Sequence, residues 1–129
     1  MIVNFEFEPD NRLCVYRISG QVTADALMDA FADARSHDGW SDDFNALTLL
    51  QDASLSTMPA EAMTELRTRM TAVNPVTDKP RRRAAIVCAD KLSKAMLTYW
   101  EIITAGRLTP QQRIFQTEAE ARAWLCEPV

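Results

Sequence analysis

Alternating apolar and polar residues at the start of the chain predict two β-strands joined by a short turn. Residues 2–8 alternate, with Val3, Phe5 and Phe7 apolar and Asn4, Glu6 and Glu8 polar, which is typical of a half-buried strand. Residues 13–18 alternate again, and Pro9-Asp10-Asn11 between the two segments is a turn signal. Two strands so close together along the chain predict an antiparallel hairpin.

Two compact apolar runs follow, at residues 46–50 and 84–89, and each predicts a buried strand, while Arg113-Ile114-Phe115 predicts a short last strand. Segments in which apolar residues recur at helical spacing lie between these predicted strands and after the last one. Thr23, Asp90 and Thr117 stand where helix N-caps are expected. The predicted order is ββαβαβαβα, an α/β domain with a mixed five-stranded sheet, an N-terminal antiparallel hairpin and covering helices.

The helix that follows Asp90 has more apolar residues than one buried stripe requires. Its predicted inner stripe consists of Leu92, Ala95, Met96, Tyr99 and Ile103. At about 100° per residue, Leu97 and Trp100 lie off that stripe. An exposed Trp–Leu pair predicts a partner surface or the wall of a pocket. The alternative is that Trp100 packs under a neighbouring helix or the C-terminus.

The element order and three segments give the chain a family resemblance that covers nearly its whole length. The segments are Asp52-Ala53-Ser54, then Arg83-Ala84-Ala85-Ile86-Val87 with the helix after it, and finally Ile114-Phe115 followed by Glu118-Ala119-Glu120-Ala121-Arg122-Ala123-Trp124-Leu125. In these features the chain resembles the SpoIIAA-like branch of the STAS superfamily. The motifs are packing motifs, which specify a fold more than a chemistry.

The resemblance implies a small, non-catalytic α/β domain. Its relatives include antagonists of anti-sigma factors and cytoplasmic domains of anion transporters, and some similar folds bind lipids or other small apolar ligands. The antagonists are switched by phosphorylation of a Ser, and the matching position here holds Glu61. Ser54, Ser56 and Thr57 are nearby hydroxyls in a different register, so the resemblance does not extend to the switch.

The carboxyl ends of two parallel strands supply candidate ligand-binding residues, because open α/β sheets bind ligands beyond those ends. Asp52 and Ser54 follow one predicted strand, and Asp90 and Lys91 follow the next. These four side chains either converge on a polar ligand or act locally, Asp90 as a helix cap and Asp52 as a hydrogen-bonding loop residue. Both interpretations remain open at this point.

The charge of the chain is unevenly distributed. Its net charge of −4 argues against nucleic acid or an acidic membrane as a partner. Residues 1–62 carry 3 basic and 11 acidic side chains, a net of −8, whereas residues 63–129 carry 11 basic and 7 acidic, a net of +4. The two halves would make the domain dipolar if they occupied different faces. Arg81-Arg82-Arg83 either holds an anionic group or is a solvated entry to a strand.

Neither a catalytic residue nor a metal site is predicted. The chain has one His, His37, and three widely separated Cys residues, Cys14, Cys88 and Cys126, which do not match the spacing of zinc ligands. A thiol nucleophile would require His37 beside Cys14 or Cys88, and the spacing does not support that pairing. The unpaired cysteines are typical of reduced thiols, so we expect a cytoplasmic protein.

The 129 residues are predicted to form one domain, residues 1–129. No signal peptide and no membrane span are expected. Together these observations favour a non-catalytic binding or regulatory module without a cofactor. It is predicted to act through contacts with a protein partner or a second copy of itself. The alternative is a carrier or sensor of a small apolar ligand, such as a fatty acid.

Overall fold

The N-terminal hairpin forms as its alternating pattern predicts. In the computed structural model, which describes residues 1–55, 58–73, 82–107 and 111–128, strand β1 (Ile2–Glu8) pairs antiparallel with strand β2 (Leu13–Gln21). A single 3-10 turn at Pro9–Asn11 joins them, and Arg12 after it adopts the left-handed conformation, with φ of 51°. Its backbone N–H donates to the Pro9 carbonyl and closes the turn.

Three βαβ crossovers extend the hairpin into one sheet. The remaining elements are α1 (Ala24–Arg35), β3 (Asn45–Ser54), α2 (Ala60–Val73), β4 (Arg83–Val87), α3 (Lys91–Thr104), β5 (Gln111–Phe115) and α4 (Glu118–Leu125). The five-stranded sheet has the order β1-β2-β3-β4-β5, and every pair after the hairpin is parallel. The predicted α/β class, element order and mixed sheet are confirmed.

The helices divide unequally between the two faces of the sheet. Successive crossovers all step in one direction, so crossovers of the same hand place their helices on the same face. Accordingly, side chains from α1, α2 and α3 share one hydrophobic cluster with Tyr16 and Ile86. Helix α4 covers the opposite face, where Trp124 packs with Leu47 and Ala85. The larger core therefore lies under the three crossover helices.

The predicted helix caps are confirmed by their hydrogen bonds. The side chains of Thr23, Asp90 and Thr117 each accept a hydrogen bond from the backbone N–H three residues later, at 3.3, 2.9 and 3.2 Å. The Thr117 hydroxyl also donates to the Glu120 carboxylate at 3.0 Å. These bonds satisfy amide groups that a helix start otherwise leaves without a partner.

Strand β3 is longer than its apolar run predicts, and this changes the place of one candidate site. The sequence predicts a strand over 46–50, but pairing continues because β2 also continues, with Gly20 beside Ala53 and Gln21 beside Ser54. A register shift between Ile18 and Gly20 accommodates the extension. Asp52 therefore lies within the strand, in the left-handed conformation with φ of 52°, and not in a loop after it.

Helix α3 is rotated relative to its predicted orientation. Leu97 and Trp100 face the core and are 6% and 5% exposed, together with the buried hydroxyls of Ser93 and Thr104. The helix is apolar around most of its circumference, so spacing alone does not identify the inner face. Polar Thr104 is tolerated there because its hydroxyl donates to the Trp100 carbonyl at 2.8 Å.

Of the two alternatives that the sequence leaves open, exposure of Leu97 and Trp100 is therefore wrong, and packing of Trp100 into the core is confirmed. The exposed apolar residues of α3 are instead Leu92 at 65%, Tyr99 at 38% and Ile102 at 68%. Two of these, Leu92 and Tyr99, belong to the stripe that the sequence places inside. The apolar surface that the sequence predicts on this helix exists, but on its other side.

Candidate functional site

A cavity of about 130 Å³ lies between the sheet and the three crossover helices. Its walls are mainly apolar, and they include side chains from every helix on that face: Leu27 and Phe31 of α1, Met63 and Leu66 of α2, and Leu97 and Trp100 of α3. Close-packed protein interiors contain few voids larger than a water molecule. A cavity of this size within the larger core is therefore the first candidate for a ligand site.

The cavity arises from small side chains that lie side by side on the sheet. Cys14 pairs with Ala46, Ala46 pairs with Ala84, and Ala84 pairs with Gln112 in neighbouring strands. These four positions form one row across the sheet, on the face covered by α1, α2 and α3. Three members of the row are Cys or Ala, where buried strands commonly carry Val, Ile or Leu. The missing side-chain volume leaves space under the helices.

The helix walls of the cavity are adaptable. Met58, Met63 and Met70 line it, and Met side chains adjust to irregular shapes because they are unbranched and have several rotatable bonds. Trp100 is held more firmly, since its indole N–H donates to the Gln112 Oε1 at 3.4 Å. The wall lined by the Met side chains can therefore adjust to an occupant, while the wall at Trp100 keeps its shape.

Two arginines lie where the cavity meets solvent. Arg35 in the last turn of α1 and Arg82 just before β4 both line the cavity and are half-buried. Burial lowers the pKa of Arg82, the nearby Asp42 carboxylate opposes this, and the positive charge of Arg35 lowers that pKa further. Both guanidinium groups thus place positive charge at the same part of the cavity wall.

Tyr16 is the other ionisable group of the cavity wall. Burial raises its pKa well above the ordinary value, and neighbouring Cys14 raises it further, whereas the charges of Arg35 and Arg82 act in the opposite direction. Its phenol is therefore neutral at physiological pH. A neutral phenol beside two cations gives this end of the cavity hydrogen-bonding capacity without negative charge.

The residues predicted at the strand ends lie elsewhere. Asp52 is exposed on the extended β3, and the Ser54 carbonyl accepts a hydrogen bond from the Val22 N–H at 2.9 Å. Asp90 caps α3, as one of the two interpretations has it, and its neighbour Lys91 is exposed. The cavity is lined by other residues. A ligand role for these four residues stays a prediction.

Leu97 and Trp100 are the predicted site residues that the cavity includes. Their interpretation as a pocket wall agrees with their position, and their interpretation as an exposed partner surface is wrong. Sequence reasoning did not single out Arg35 or the Ala46–Ala84 pair. The available signal was two alanines at matching positions of neighbouring buried strands, which only the strand register reveals.

The thiols and the imidazole do not form a catalytic pair. Cys14 and Cys88 are buried on the sheet, whereas His37 is exposed and packs against Phe5 and Phe7, with ring centroids 5.9 and 5.3 Å away. Burial raises the pKa of the Cys14 thiol, which is the opposite of what a thiolate nucleophile requires. Among the described residues, no group of three His, Cys, Asp or Glu side chains is arranged to hold a metal ion.

The basic segment before β4 separates into two roles. Arg83 donates to the backbone carbonyls of Trp124 at 2.7 Å, Glu127 at 2.8 Å and Pro128 at 3.3 Å, and its guanidinium lies 5.3 Å from the Trp124 ring. It fixes the C-terminal end of α4, so the interpretation as a solvated strand entry is wrong for this residue. Arg82 turns to the cavity, and Arg81 is outside the described residues.

Glu61, at the position that corresponds to the phosphorylated Ser of the resembling family, is exposed in the first turn of α2. A negative charge there is favoured by the helix dipole alone. Ser56 and Thr57 are outside the described residues.

Comparison with solved structures identifies the fold. The chain is similar to an uncharacterised protein of the DUF3478 family with a SpoIIAA-like fold from Shewanella loihica PV-4, with a TM-score of 0.54 and 16% sequence identity. The match covers 97% of this chain and 93% of that one. The predicted SpoIIAA-like fold is confirmed, and at this identity the likeness establishes the fold alone.

Comparison at the level of sequence gave no relative. No family model matches the chain, and no curated protein matches it. Within the described part of the chain, no helix is both long enough and apolar enough to cross a membrane.

Proposed function

We propose that this protein is a non-catalytic binding module that holds a small apolar ligand in the cavity between its sheet and its crossover helices. The observation that carries the proposal is the cavity itself, about 130 Å³ in volume and walled mainly by apolar side chains. An apolar cavity of about 150 Å³ binds benzene or xenon in another protein. The cavity is thus sized for a group of about six carbon atoms, much smaller than a long fatty acid.

The small side chains at the base of the cavity support a functional reason for it. Larger apolar side chains at Ala46 or Ala84 would fill part of the space under the helices and add dispersion contacts there. The small residues instead keep that space available to an occupant.

The chemistry around the cavity favours binding over catalysis. Cys14 belongs to the row of small side chains, and burial raises the pKa of its thiol, whereas His37 is exposed and packs against Phe5 of the hairpin. A site with no activated nucleophile and no imidazole base lacks the usual groups for covalent or general base catalysis. We therefore assign the cavity a carrier or sensor role.

Ligand titration of the wild type and a filled-cavity variant tests the proposal. Ala84→Leu adds side-chain volume to the central row, and Ala123→Leu adds the same atoms at an exposed position of α4. We expect small aromatic compounds to raise the melting temperature of the wild type and of Ala123→Leu, but not of Ala84→Leu. Equal shifts in all three proteins, or none in the wild type, would contradict a ligand site in this cavity.

A second candidate function, contact with a protein partner or a second copy, is favoured by the exposed face of α3. Leu92, Tyr99 and Ile102 present apolar surface there, and all three lie within about 80° of one another around the helix axis. Contiguous exposed apolar surface often marks an interaction site. The contact surface is thus on the side of α3 opposite to the predicted Leu97–Trp100 pair.

Native mass spectrometry at low micromolar concentration tests self-association through this face. Ile102→Glu places a charge on this face at its most exposed residue, and Lys94→Glu changes charge at an exposed polar position of the same helix. We expect a dimer for the wild type and for Lys94→Glu, and a monomer for Ile102→Glu. A strictly monomeric wild type would remove self-association and leave only a different partner protein.

A further inference from the structure

Thr48 lies at the centre of the sheet floor beneath the cavity. It stands in the middle of β3, pairs with Tyr16 of β2 and Ile86 of β4, and lines the cavity. Buried central strands commonly carry Val or Ile at such positions, and Val has nearly the same shape as Thr. The hydroxyl of Thr48 therefore adds a hydrogen-bonding group that apolar packing of the floor does not require.

The hydroxyl of Thr48 faces open space. Within the described part of the chain it forms no hydrogen bond, although no fully buried side-chain oxygen or nitrogen atom there lacks a partner. Thr48 is half-buried, whereas its strand partners Tyr16 and Ile86 are only 3% and 8% exposed. Because these neighbours are closed to solvent, the accessible surface of Thr48 lies in the cavity. Its Oγ1 can thus be reached by a molecule that occupies the cavity.

Other polar groups of the cavity wall have partners or lie farther out. The Trp100 indole N–H donates to Gln112 Oε1 at 3.4 Å. Arg35 and Arg82 lie at the rim, where the cavity meets solvent. Thr48 instead lies on the floor, beside the row of small side chains that leaves the space. A molecule that fills this space therefore contacts the Thr48 hydroxyl.

On the basis of the proposed cavity function, we propose that the occupant is a small alcohol or phenol, whose body of about six carbon atoms fills the apolar space and whose uncharged hydroxyl forms a hydrogen bond with Thr48 Oγ1. A hydroxyl both donates and accepts, so it pairs with the Thr48 hydroxyl in either direction. The bond replaces hydrogen bonds to water that both groups lose when the ligand enters. A carboxylate or ammonium group on this floor would have one neutral partner, which is too few for a charge removed from water.

Calorimetric titration of the intact protein with matched ligand pairs tests the proposal. Phenol and toluene differ by a hydroxyl in place of a methyl group, as Thr and Val do, and cyclohexanol and methylcyclohexane differ in nearly the same way without the aromatic ring. The ratio of the two Kd values within a pair, compared between proteins, cancels the different hydration of the free ligands. A larger effect in the first or the second pair distinguishes a phenol from an aliphatic alcohol.

The effect of removing the Thr48 hydroxyl is specific to the hydroxyl ligands. In Thr48→Val we expect phenol or cyclohexanol to weaken roughly tenfold relative to its methyl partner, whose own Kd changes about twofold at most. Thr48→Ser keeps a hydroxyl and should hold the ratio within about threefold of the wild type. Thr98→Val is the control, because it removes an exposed hydroxyl of α3 that donates to the Lys94 carbonyl, and it should leave the ratio unchanged.

The outcomes separate the ligand class from the cavity function. Ratios in Thr48→Val equal to those of the wild type would overturn the hydroxyl assignment and leave the apolar cavity function intact. Failure of all four compounds to bind the wild type would overturn the assignment together with the proposed function. A crystal structure of the wild type with phenol is decisive even if Thr48→Val fails to fold. The proposal places the phenol oxygen within about 3.2 Å of Thr48 Oγ1, and an oxygen bound elsewhere would overturn it.

Discussion

At the scale of single residues, Glu8 shows how one side chain connects distant parts of the chain. Its carboxylate, at the end of β1, accepts hydrogen bonds from Arg122 of α4 at 3.0 and 2.9 Å and from Asn11 at 2.8 Å. These bonds lower the pKa of Glu8 to about 2, from an ordinary value of 4.5. The pair fixes the first strand to the last helix, 114 residues apart.

This pair predicts a specific pH dependence of stability. Because the pKa of Glu8 is lower in the folded state, its contribution is complete above about pH 4.5 and is lost as the pH falls towards about 2. Glu8→Gln should therefore destabilise the protein by about 1–2 kcal/mol at pH 7, since both partners are partly exposed. Urea unfolding at a series of pH values measures this, and the difference between the variant and the wild type should shrink below about pH 4.5 and vanish only below about pH 2. A difference that does not change with pH would show that the pair is not the source.

At the scale of elements, the sequence predicted the features that depend on the local pattern of residues. It missed the features that depend on contacts with neighbouring elements of the fold. The hairpin and the caps Thr23, Asp90 and Thr117 follow from alternation and from hydrogen-bonding side chains at helix starts, and all are confirmed. The orientation of α3 did not follow, because its apolar residues spread over more of the circumference than one buried stripe needs, and packing against the sheet decides which of them are buried. The length of β3 likewise depends on β2, which continues beside it.

The orientation of α3 is testable by paired truncations. Leu97 faces the core and Ile102 is exposed, so Leu97→Ala should cost about 2–5 kcal/mol and Ile102→Ala no more than about 0.5 kcal/mol. Chemical denaturation of the two variants measures both values. Similar losses in the two, or a larger loss for Ile102→Ala, would contradict the observed orientation.

Helix α4 offers a second test at this scale, because one arginine holds its C-terminal end. Arg83→Ala removes three hydrogen bonds to carbonyl oxygens and a cation–π contact with Trp124, and we expect a loss of about 1–3 kcal/mol. Arg107→Ala, at an exposed arginine after α3, is the control and should change little. Amide hydrogen exchange should show faster opening of α4 in the first variant only. Unchanged exchange there would mean that the helix is held by packing alone.

At the scale of the whole molecule, the acidic first half and the basic second half of the chain are in direct contact and do not form separate faces. The ion pairs Asp25–Arg69 and Glu8–Arg122 each link the acidic first half to the basic second half. The cavity has the same origin, because Ala46 and Ala84 lie in different halves and meet only through strand pairing. The composition of the chain could not reveal the cavity, because the side chains that surround it are distant from one another in the sequence.

This apolar space is proposed to accept a small ligand, and a crystal structure under xenon pressure tests that claim most directly. Xenon enters apolar cavities of this size without needing a polar partner. We predict xenon density between the Ala46–Ala84 pair and the helix wall formed by Leu66 and Leu97, and none there in Ala84→Leu crystals treated identically. Absence of xenon from the wild-type cavity would contradict the claim.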